Sequence, residues 1–421
     1  MKQYTLLNNR ISKIAFALFL TAMLFLSRDT LFSSCLIGFT KSQLLSAGLI
    51  VLLGTVFLWV NRKEFLQILK DRRMLLILAS SLVLVLPMAL KQDWQLMYFS
   101  ILFCVLTGVF LTYFTSCSDV AKIYVVLLVV LGVYSIFATY VLRKLAMAGV
   151  IQPAVFENSK GWQFFDFVFA YAVDLKYWNR NCGIFREPGV YQFFVLLAVY
   201  LNNYWVDWDR QWKLWFCNVA LAFTMLTTFA IGGFAELGLF IVFVYFDKKW
   251  YREKWGKIAG ISFTAAMIAV IGYVVYRVIW THFENTILYE FYDMFIRLFT
   301  KSDSSTDRWD AIVTNLRFIG ESPLVGNPIA QVLHGTEHNT SSTLLLFAIL
   351  GLMGGTLNVA AWIALLWKRE RKIIGNLILM VTMFMSFNTQ NLTANVFFWL
   401  FPMMALTERC VPLIENRKKK V

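Results

Sequence analysis

The sequence of 421 residues is poor in charge, in histidine and in paired cysteine, and these shortages exclude several classes of protein. Charged residues make up 15%, whereas soluble domains carry about 25%, which excludes a soluble globular protein and a disordered chain. The six cysteines show no CxxC spacing, which argues against a secreted disulfide scaffold. The sequence contains no phosphate-loop or dinucleotide motif, so nucleotide-driven chemistry is not expected.

Apolar residues dominate what is present and form runs of membrane length. Hydrophobic residues reach 59%, the mean hydropathy is +0.63, and there are 39 Phe, 15 Trp and 17 Tyr. A transmembrane helix needs roughly 20 apolar residues, and twelve such runs are bounded by charge. They lie at 11–27, 43–60, 74–90, 96–114, 120–142, 190–205, 213–229, 231–246, 257–279, 340–367, 373–387 and 392–406. We therefore expect an all-α polytopic membrane protein of about twelve transmembrane helices, with residues 1–421 forming one integral membrane domain.

The basic residues predict how these helices are oriented. If the N-terminus is cytoplasmic, 25 of the 39 Lys and Arg fall on inner segments and 14 on outer ones, as the positive-inside rule requires. Both termini are therefore predicted to be cytoplasmic. The net charge of +14 then reflects attraction to an anionic leaflet, and we expect no nucleic-acid partner.

Two predicted outer loops, 143–189 and 280–339, are much longer than the other connections. Long loops in compact proteins are usually functional, and an enzyme at the outer membrane surface needs them more than a midplane carrier does. The first loop has an excess of basic residues and the second an excess of acidic ones, so the two are suited to pack together. The aromatic stretch 161–171 predicts an interfacial belt, with a sugar-stacking platform as the alternative.

Candidate anion ligands lie where the first loop meets the next span. Arg186 and Glu187 directly precede Pro188 and Gly189, which mark the turn before a helix. Backbone N–H groups at a helix start favour anions, and Arg186 adds a planar donor fork suited to phosphate. Arg180 is a further candidate. The alternative for Arg186 is a snorkelling side chain beside an ordinary helix cap.

The second loop supplies two more candidate arginines, Arg308 and Arg317. Arg308, Ile312 and Leu316 share one face of a helix, so Arg308 is suited to an amphipathic helix above the membrane. The alternative is a solvated surface charge.

His338 directly precedes a predicted span, in a chain with only three histidines. With His334 and Glu337 it forms His-x-x-Glu-His, formally a zinc-protease arrangement. Gly335 is a poor helix former, so we expect no metal here. His338, Glu337 and Glu187 are instead candidates for a general base, and a structural role at the helix start is the alternative for His338.

Glu236 is the one carboxylate that lies well inside a predicted span, beside Gly232 and Gly233. Intramembrane carboxylates are costly and usually face a cavity or a partner. We therefore interpret Glu236 either as a functional polar residue or as a buried carboxylate that pairs with an arginine for packing.

Together these segments resemble the O-antigen and capsular polysaccharide polymerases (Wzy-type), to which the O-antigen ligases are related. The resemblance rests on GIFREP at 183–188 before a span, on SPLVG at 322–326 after Arg308, and on HN at 338–339 before LGLMG at 350–354. It covers roughly residues 180–365, and the predicted topology agrees over the whole chain.

The resemblance implies a bacterial inner-membrane glycosyltransferase of GT-C-like architecture that uses no metal or other cofactor. Its substrates would be oligosaccharide repeat units on undecaprenyl pyrophosphate, joined at the periplasmic face. Membrane lipids, a flippase and a chain-length regulator are the other implied partners. By residue, Arg186 and Arg308 match loop arginines proposed to hold pyrophosphate, and His338 matches the ligase-type histidine.

Three alternatives stay open. An O-antigen ligase would transfer polymer to lipid A–core, but the spacing between Asn339 and Gly351 is longer than in the ligases. A flippase or other carrier would not be an enzyme. The long outer loops and the lack of an internal repeat count against it. An outer-leaflet acyltransferase is the third.

Overall fold

The computed structural model describes residues 10–157, 163–173, 180–249, 252, 303–335 and 339–418, and the chain is mostly helical (75%). Besides a short helix at Phe65–Leu69, the helices are α1 (Arg10–Phe25), α2 (Phe39–Val60), α3 (Arg72–Lys91), α4 (Leu96–Leu111), α5 (Cys117–Met147), α6 (Pro188–Tyr204), α7 (Gln211–Thr227), α8 (Ile231–Asp247), α9 (Asp303–Glu321), α10 (Ile329–His334), α11 (Ser342–Leu366), α12 (Ile373–Phe387) and α13 (Val396–Lys418).

Helices occur at eleven of the twelve predicted spans, because a helix satisfies the backbone polar groups of a long apolar run internally. The predicted span at 257–279 lies outside the described residues. Among the described residues, four helices are long and apolar enough to cross a membrane by length and composition, namely α2, α3, α5 and α11. This supports a membrane protein, while the count of twelve spans and their orientation stay predictions.

Helix α6 lies at the centre of the bundle and anchors the segment that precedes it. Residues 190–202 of this helix are all buried. The Phe193 ring contacts Trp362 of α11 and Phe387 of α12, with ring centroids 6.3 and 6.4 Å apart. Because α6 begins at Pro188, the preceding Arg186 is attached to a fully buried helix.

The first predicted loop contains a three-stranded antiparallel sheet in the order β1 (Ala154–Glu157), β2 (Gln163–Asp166), β3 (Tyr171–Val173). The sheet is a departure from a purely α-helical prediction. The aromatic stretch 161–171 contributes β2, the hairpin turn and the start of β3. Phe164 and Tyr171 are buried, and the Tyr134 hydroxyl donates to the Phe167 carbonyl at 2.5 Å. Aromatic residues favour strands, and packing against α5 stabilises the hairpin that these residues form.

Polar contacts gather at two opposite ends of the bundle. Tyr98 in the first turn of α4 lies beside Asp93 and Asn327, at the end we call the sheet end. Thr112, just after α4, accepts a hydrogen bond from Arg73, at the end we call the opposite end. Sixteen residues of α4, or roughly 24 Å, separate the two.

Candidate functional site

Arg186 is held at the sheet end by pairing between two loops. Thr30 and Phe185 form an antiparallel β-bridge, and the Arg186 amide donates to the Asp29 carbonyl at 3.2 Å. This pairing also places Nε of Arg186 3.6 Å from the Asp29 carboxylate. Nδ2 of Asn395 donates to the same carboxylate at 3.2 Å. We call Arg186, Asp29 and Asn395 the Arg186 cluster.

The Arg186 side chain is only partly satisfied by this cluster. A separation of 3.6 Å is too long for a hydrogen bond, and Nε has no hydrogen-bond partner in the described part of the chain. The Asp29 side chain is 3% exposed, whereas that of Arg186 is 36% exposed. A guanidinium with unused donors at a partly open position is suited to bind an anion.

The residues before Arg186 have a structural role. Asn181 is fully buried, and its Nδ2 donates to the hydroxyls of Ser135 and Thr227 at 2.9 and 3.0 Å. Its Oδ1 accepts from the Gly183 amide at 2.9 Å. Gly183 has φ +55°, and a Cβ there would lie 2.7 Å from the Tyr191 ring, so only glycine fits. This part of the predicted motif fixes the loop that presents Arg186.

A second set of polar side chains is buried where α6, α8 and α12 pack together. Gln192 and Glu236 are 2% and 1% exposed, and Ser386 lies beside Glu236. A Cβ at Gly233 would lie 2.5 Å from Oε1 of Gln192, so Gly233 makes room for that amide. We call Gln192, Glu236 and Ser386 the Glu236 cluster.

The Glu236 cluster has unused hydrogen-bonding capacity. Oε1 of Gln192 and Oε2 of Glu236 have no hydrogen-bond partner among the residues described. Unpaired buried acceptors are costly and call for an explanation. Two acceptor oxygens on neighbouring side chains are suited to receive hydrogen bonds from hydroxyl groups.

Helix α9 presents Arg308 towards the interior. Its buried stripe consists of Ala311, Asn315 and Phe318, and Arg308 lies one turn earlier on the same stripe. Leu316, which shares the predicted face with Arg308, is 53% exposed, and the position of this helix above a membrane stays a prediction. Asn315 is buried by pairing with another amide, which apolar periodicity does not reveal.

Two contacts tie Arg308 and its helix to the site. The Arg308 charge acts on the Glu236 carboxylate, which brings the two predicted polar residues together. Asn315 and Asn339 exchange two amide hydrogen bonds of 3.0 and 2.9 Å, which fasten α9 to the start of α11. Arg308 therefore faces the Glu236 cluster from the second loop, while Arg186 approaches the same end from the first.

The glycines of the second-loop motif and of α11 also contact one another. Gly351 has φ +63° and ψ −162° and interrupts the helix. A Cβ at Gly326 would lie 2.5 Å from the backbone of Ile349. The interruption frees the Ile349 carbonyl, which accepts from Nζ of Lys91. These glycines are conformational requirements that hold the second loop against the bundle.

The other predicted site residues lie in different surroundings. Nε of Arg180 donates to the Thr228 carbonyl at 3.1 Å, between α7 and α8. Glu187 is exposed at the start of α6, where its side chain caps no backbone group. Arg317 is 62% exposed and lies 3.6 Å from Glu321 on the same helix. Arg317 is thus a surface residue.

Glu337 and His338 lie outside the described residues, so their predicted roles stay predictions. Their described neighbours lie against α9. A Cβ at Gly335 would lie 2.8 Å from the Phe318 ring, and Asn339 pairs with Asn315. His334 is exposed at the end of α10.

Sequence reasoning missed Asp29, Asn395 and Gln192. Asp29 and Asn395 are more than 360 residues apart, so no local pattern connects them. Gln192 carried a usable signal, because a buried amide one turn into an otherwise apolar span is uncommon.

These features define an apolar helical membrane protein with a polar, arginine-bearing site at one end of its bundle. No family model matches the chain, and no curated protein and no solved structure is significantly similar to it. Function is therefore inferred from the chemistry of the site itself.

Proposed function

We propose that the protein is a glycosyltransferase that polymerises oligosaccharide repeat units carried on undecaprenyl pyrophosphate. The proposal rests chiefly on Arg186, whose side chain is 36% exposed at the sheet end and lies 3.6 Å from the Asp29 carboxylate, too far for a hydrogen bond. Arg308 approaches the same end from α9, beside Glu236. In this proposal the sheet end faces the periplasm of a bacterial inner membrane, as the distribution of Lys and Arg predicts.

The two arginines suit the charge that develops in this reaction. A hydroxyl of the acceptor sugar attacks the anomeric carbon of the donor, a new C–O bond forms, and the bond to pyrophosphate breaks. The electron pair leaves with the pyrophosphate oxygen. Preorganised guanidinium groups stabilise that charge, and their planar forks match phosphate oxygens. Two of them on separate elements supply the positive charge in a reaction that we propose needs no metal.

The Glu236 cluster suits the uncharged part of the substrate. Its unpaired oxygens on Gln192 and Glu236 accept hydrogen bonds, and sugar hydroxyls donate them. A cationic site for pyrophosphate and an acceptor-rich site for hydroxyls would then lie at the same end of the bundle. This arrangement distinguishes the two halves of a lipid-linked sugar.

A general base must accept the proton of the attacking hydroxyl. We assign this role to His338, with Glu337 and Glu187 as the other candidates. His338→Ala should lower polymer formation at least about 100-fold. The matched control is His334→Ala, which removes an exposed histidine four residues earlier and should leave the polymer unchanged. Equal effects of the two substitutions would remove His338 from the mechanism.

The proposal is tested in cells that depend on this protein for surface polysaccharide. Arg186→Ala and Arg308→Ala should each abolish polymer while protein levels hold, and Arg317→Ala should have no effect. Normal polymer length in both of the first two variants would overturn the proposal. A deletion strain separates polymerase from ligase, because single repeat units on lipid A–core indicate a lost polymerase and bare core indicates a lost ligase.

A further inference from the structure

Three basic side chains surround the ring of Tyr204, where the end of α6, the end of α8 and the start of α12 meet. The ammonium groups of Lys248 and Lys368 lie 5.1 and 5.2 Å from the centre of this ring. The Arg371 guanidinium lies 4.8 Å from the same centre. We call Tyr204, Lys248, Lys368 and Arg371 the Tyr204 cluster.

The Tyr204 cluster lies at the opposite end of the bundle, where α4 ends and α5 begins. The amide of Cys117, the first residue of α5, donates to the Glu408 carboxylate at 2.7 Å. The next residue, Arg409, donates from Nη2 to the Trp367 carbonyl at 2.6 Å. Because Lys368 follows Trp367, the cluster is separated from the sheet end by the length of the helices.

One carboxylate lies within hydrogen-bond reach of these three cations in the described part of the chain. Oδ1 of Asp247 accepts from Nε of Arg371, and its Oδ2 accepts from the Tyr204 hydroxyl, both at 2.9 Å. Lys368 donates to the neutral Tyr204 carbonyl at 3.2 Å, and Lys248 makes no ion pair with a described residue. Both oxygens of Asp247 are therefore occupied, and the two ammonium groups keep donors for an external anion.

The three cations also repel one another. Burial lowers the pKa of Lys368, and the charges of Arg371 and Lys248 lower it further, while Asp247 and Glu370 oppose the shift. An anion between the two lysines would relieve this repulsion.

Arg371 has a structural role in the cluster, whereas the two lysines are accessible. The Arg371 side chain is 5% exposed, and its guanidinium also lies 4.8 Å from the centre of the Phe243 ring. It thereby joins the start of α12 to α8. Lys248 is exposed and Lys368 is half-buried, so these two can reach a ligand from outside.

Exposed apolar side chains adjoin the cluster on both helices. A Cβ at Gly375 of α12 would lie 3.6 Å from the Phe243 ring of α8, which marks the contact between the two helices. Val242 and Ile374, beside this contact, are 43% and 70% exposed. Apolar side chains at a helix end in a membrane meet acyl chains, so the anion that reaches these lysines is the headgroup of a lipid.

We propose that the Tyr204 cluster binds the headgroup of an anionic phospholipid, with the phosphate between Lys248 and Lys368 and the acyl chains along the exposed faces of α8 and α12. Ammonium groups bind phosphate as point charges, and basic pockets between membrane helices bind anionic headgroups. The inference does not rest on the proposed polymerase, because the cluster and Arg186 lie at different ends of the bundle.

The test is a titration of phosphatidylglycerol into the purified full-length protein in neutral detergent, with bound lipid counted by native mass spectrometry. Lys248→Gln and Lys368→Gln should each weaken binding about fivefold, the loss expected for one basic residue. The double variant should weaken it more than about tenfold. Lys248→Arg with Lys368→Arg should restore binding, because it keeps both charges. Unchanged binding in the double Gln variant would overturn the proposal.

Lys213→Gln is the matched control at the same end of the bundle. Lys213 lies in the first turn of α7, which Asn202 of α6 contacts through the Leu214 carbonyl, and its ammonium is 2.7 Å from the Asp209 carboxylate. Because this cation is already paired, its loss should leave lipid binding unchanged. A loss as large as in the double Gln variant would overturn the proposal in favour of a general attraction to anionic lipid.

Competitors establish which part of the lipid is recognised. Zwitterionic phosphatidylcholine should bind at least about fivefold more weakly than phosphatidylglycerol, and inorganic phosphate should not displace the lipid. Equal binding of phosphatidylcholine would overturn the proposal, and so would displacement by inorganic phosphate, which would indicate a site for a soluble anion.

Both lysines also follow the C-termini of helices, where a cation stabilises the helix dipole. That role alone would lower the melting temperature of Lys248→Gln and Lys368→Gln in lipid-free detergent and leave lipid binding unchanged. This combination of results would overturn the proposal. A rise in melting temperature on addition of phosphatidylglycerol, seen in the wild type and lost in the double Gln variant, would support it.

Discussion

Arg73 and Arg186 lie at opposite ends of the bundle and have different surroundings. At the opposite end, Arg73 is completely buried. Its Nε donates to the Asp71 carboxylate at 2.9 Å, and its Nη1 donates to the Thr112 carbonyl at 2.6 Å. The guanidinium also lies 4.1 Å from the centre of the Tyr113 ring. The protein thus supplies the hydrogen-bond acceptors and the negative charge that this buried guanidinium needs.

At the sheet end, the arginine side chains have fewer hydrogen-bond and ion-pair partners than Arg73 has. Arg186 has one carboxylate at 3.6 Å and an unpartnered Nε, and Arg28 shares that carboxylate without a hydrogen bond in the described residues. In the proposed function this difference separates two roles. Arg73, which the protein satisfies fully, holds the fold, and Arg186, which is partly exposed, binds an anion.

The largest expected effect is on stability at the opposite end. Arg73→Gln leaves the Asp71 carboxylate without its cation and should lower the free energy of unfolding by about 3–5 kcal/mol. Arg186→Gln should change it by less than about 0.5 kcal/mol, because Arg186 is partly exposed and weakly paired. Thermal unfolding of the purified variants in detergent measures both. A loss of stability in Arg186→Gln equal to that in Arg73→Gln would erase the distinction between the two ends.

An intermediate effect is expected inside the Glu236 cluster. Gly233→Ala places a methyl group 2.5 Å from Oε1 of buried Gln192, so that side chain must move. We expect a loss of about 1–3 kcal/mol in stability and reduced polymer formation. Gly238→Ala is the control on the same helix. An added Cβ there meets nothing within 4 Å, and the change should stabilise by up to about 1 kcal/mol. Identical stability changes in the two variants would show that Gln192 is free to move.

The smallest effect is expected at Arg317. This side chain is 62% exposed and weakly paired with Glu321, and such surface pairs contribute about 0–1 kcal/mol. Arg317→Ala should therefore leave both the melting temperature and the polymer length distribution unchanged. A strong loss of polymer would restore Arg317 as a ligand and would show that α9 turns when substrate binds.

The helices were accessible from sequence because an apolar run of membrane length has few other structures available to it. Arg186, Arg308 and Glu236 were also accessible, since a charge beside or inside such a run is costly enough to stand out. Their partners were not. Asp29 meets Arg186 through a bridge between distant loops, and Asn315 is buried by an amide pair with Asn339.

The hairpin and the glycine contacts also depend on tertiary contacts that the sequence does not show. From sequence alone, the aromatic residues around Phe164 fit an interfacial membrane belt as well as a β-hairpin. Packing against α5 favours the hairpin. Gly326 and Gly351 belong to motifs that the sequence shows. Only the structure shows why glycine is needed there, because the backbones of two segments approach each other closely at both positions. Local pattern identifies which residues are unusual, and tertiary contact decides whether they bind a ligand or hold the fold.

The central claim is that the incomplete arginines of the sheet end bind pyrophosphate in a transfer reaction. The most direct measurement mixes the purified protein with an undecaprenyl-pyrophosphate-linked repeat unit, with and without a chelator, and follows chain length. The account predicts polymer and released undecaprenyl pyrophosphate in both conditions, and neither product from Arg186→Ala or Arg308→Ala. Unchanged starting material, or polymer that disappears with the chelator, would contradict it.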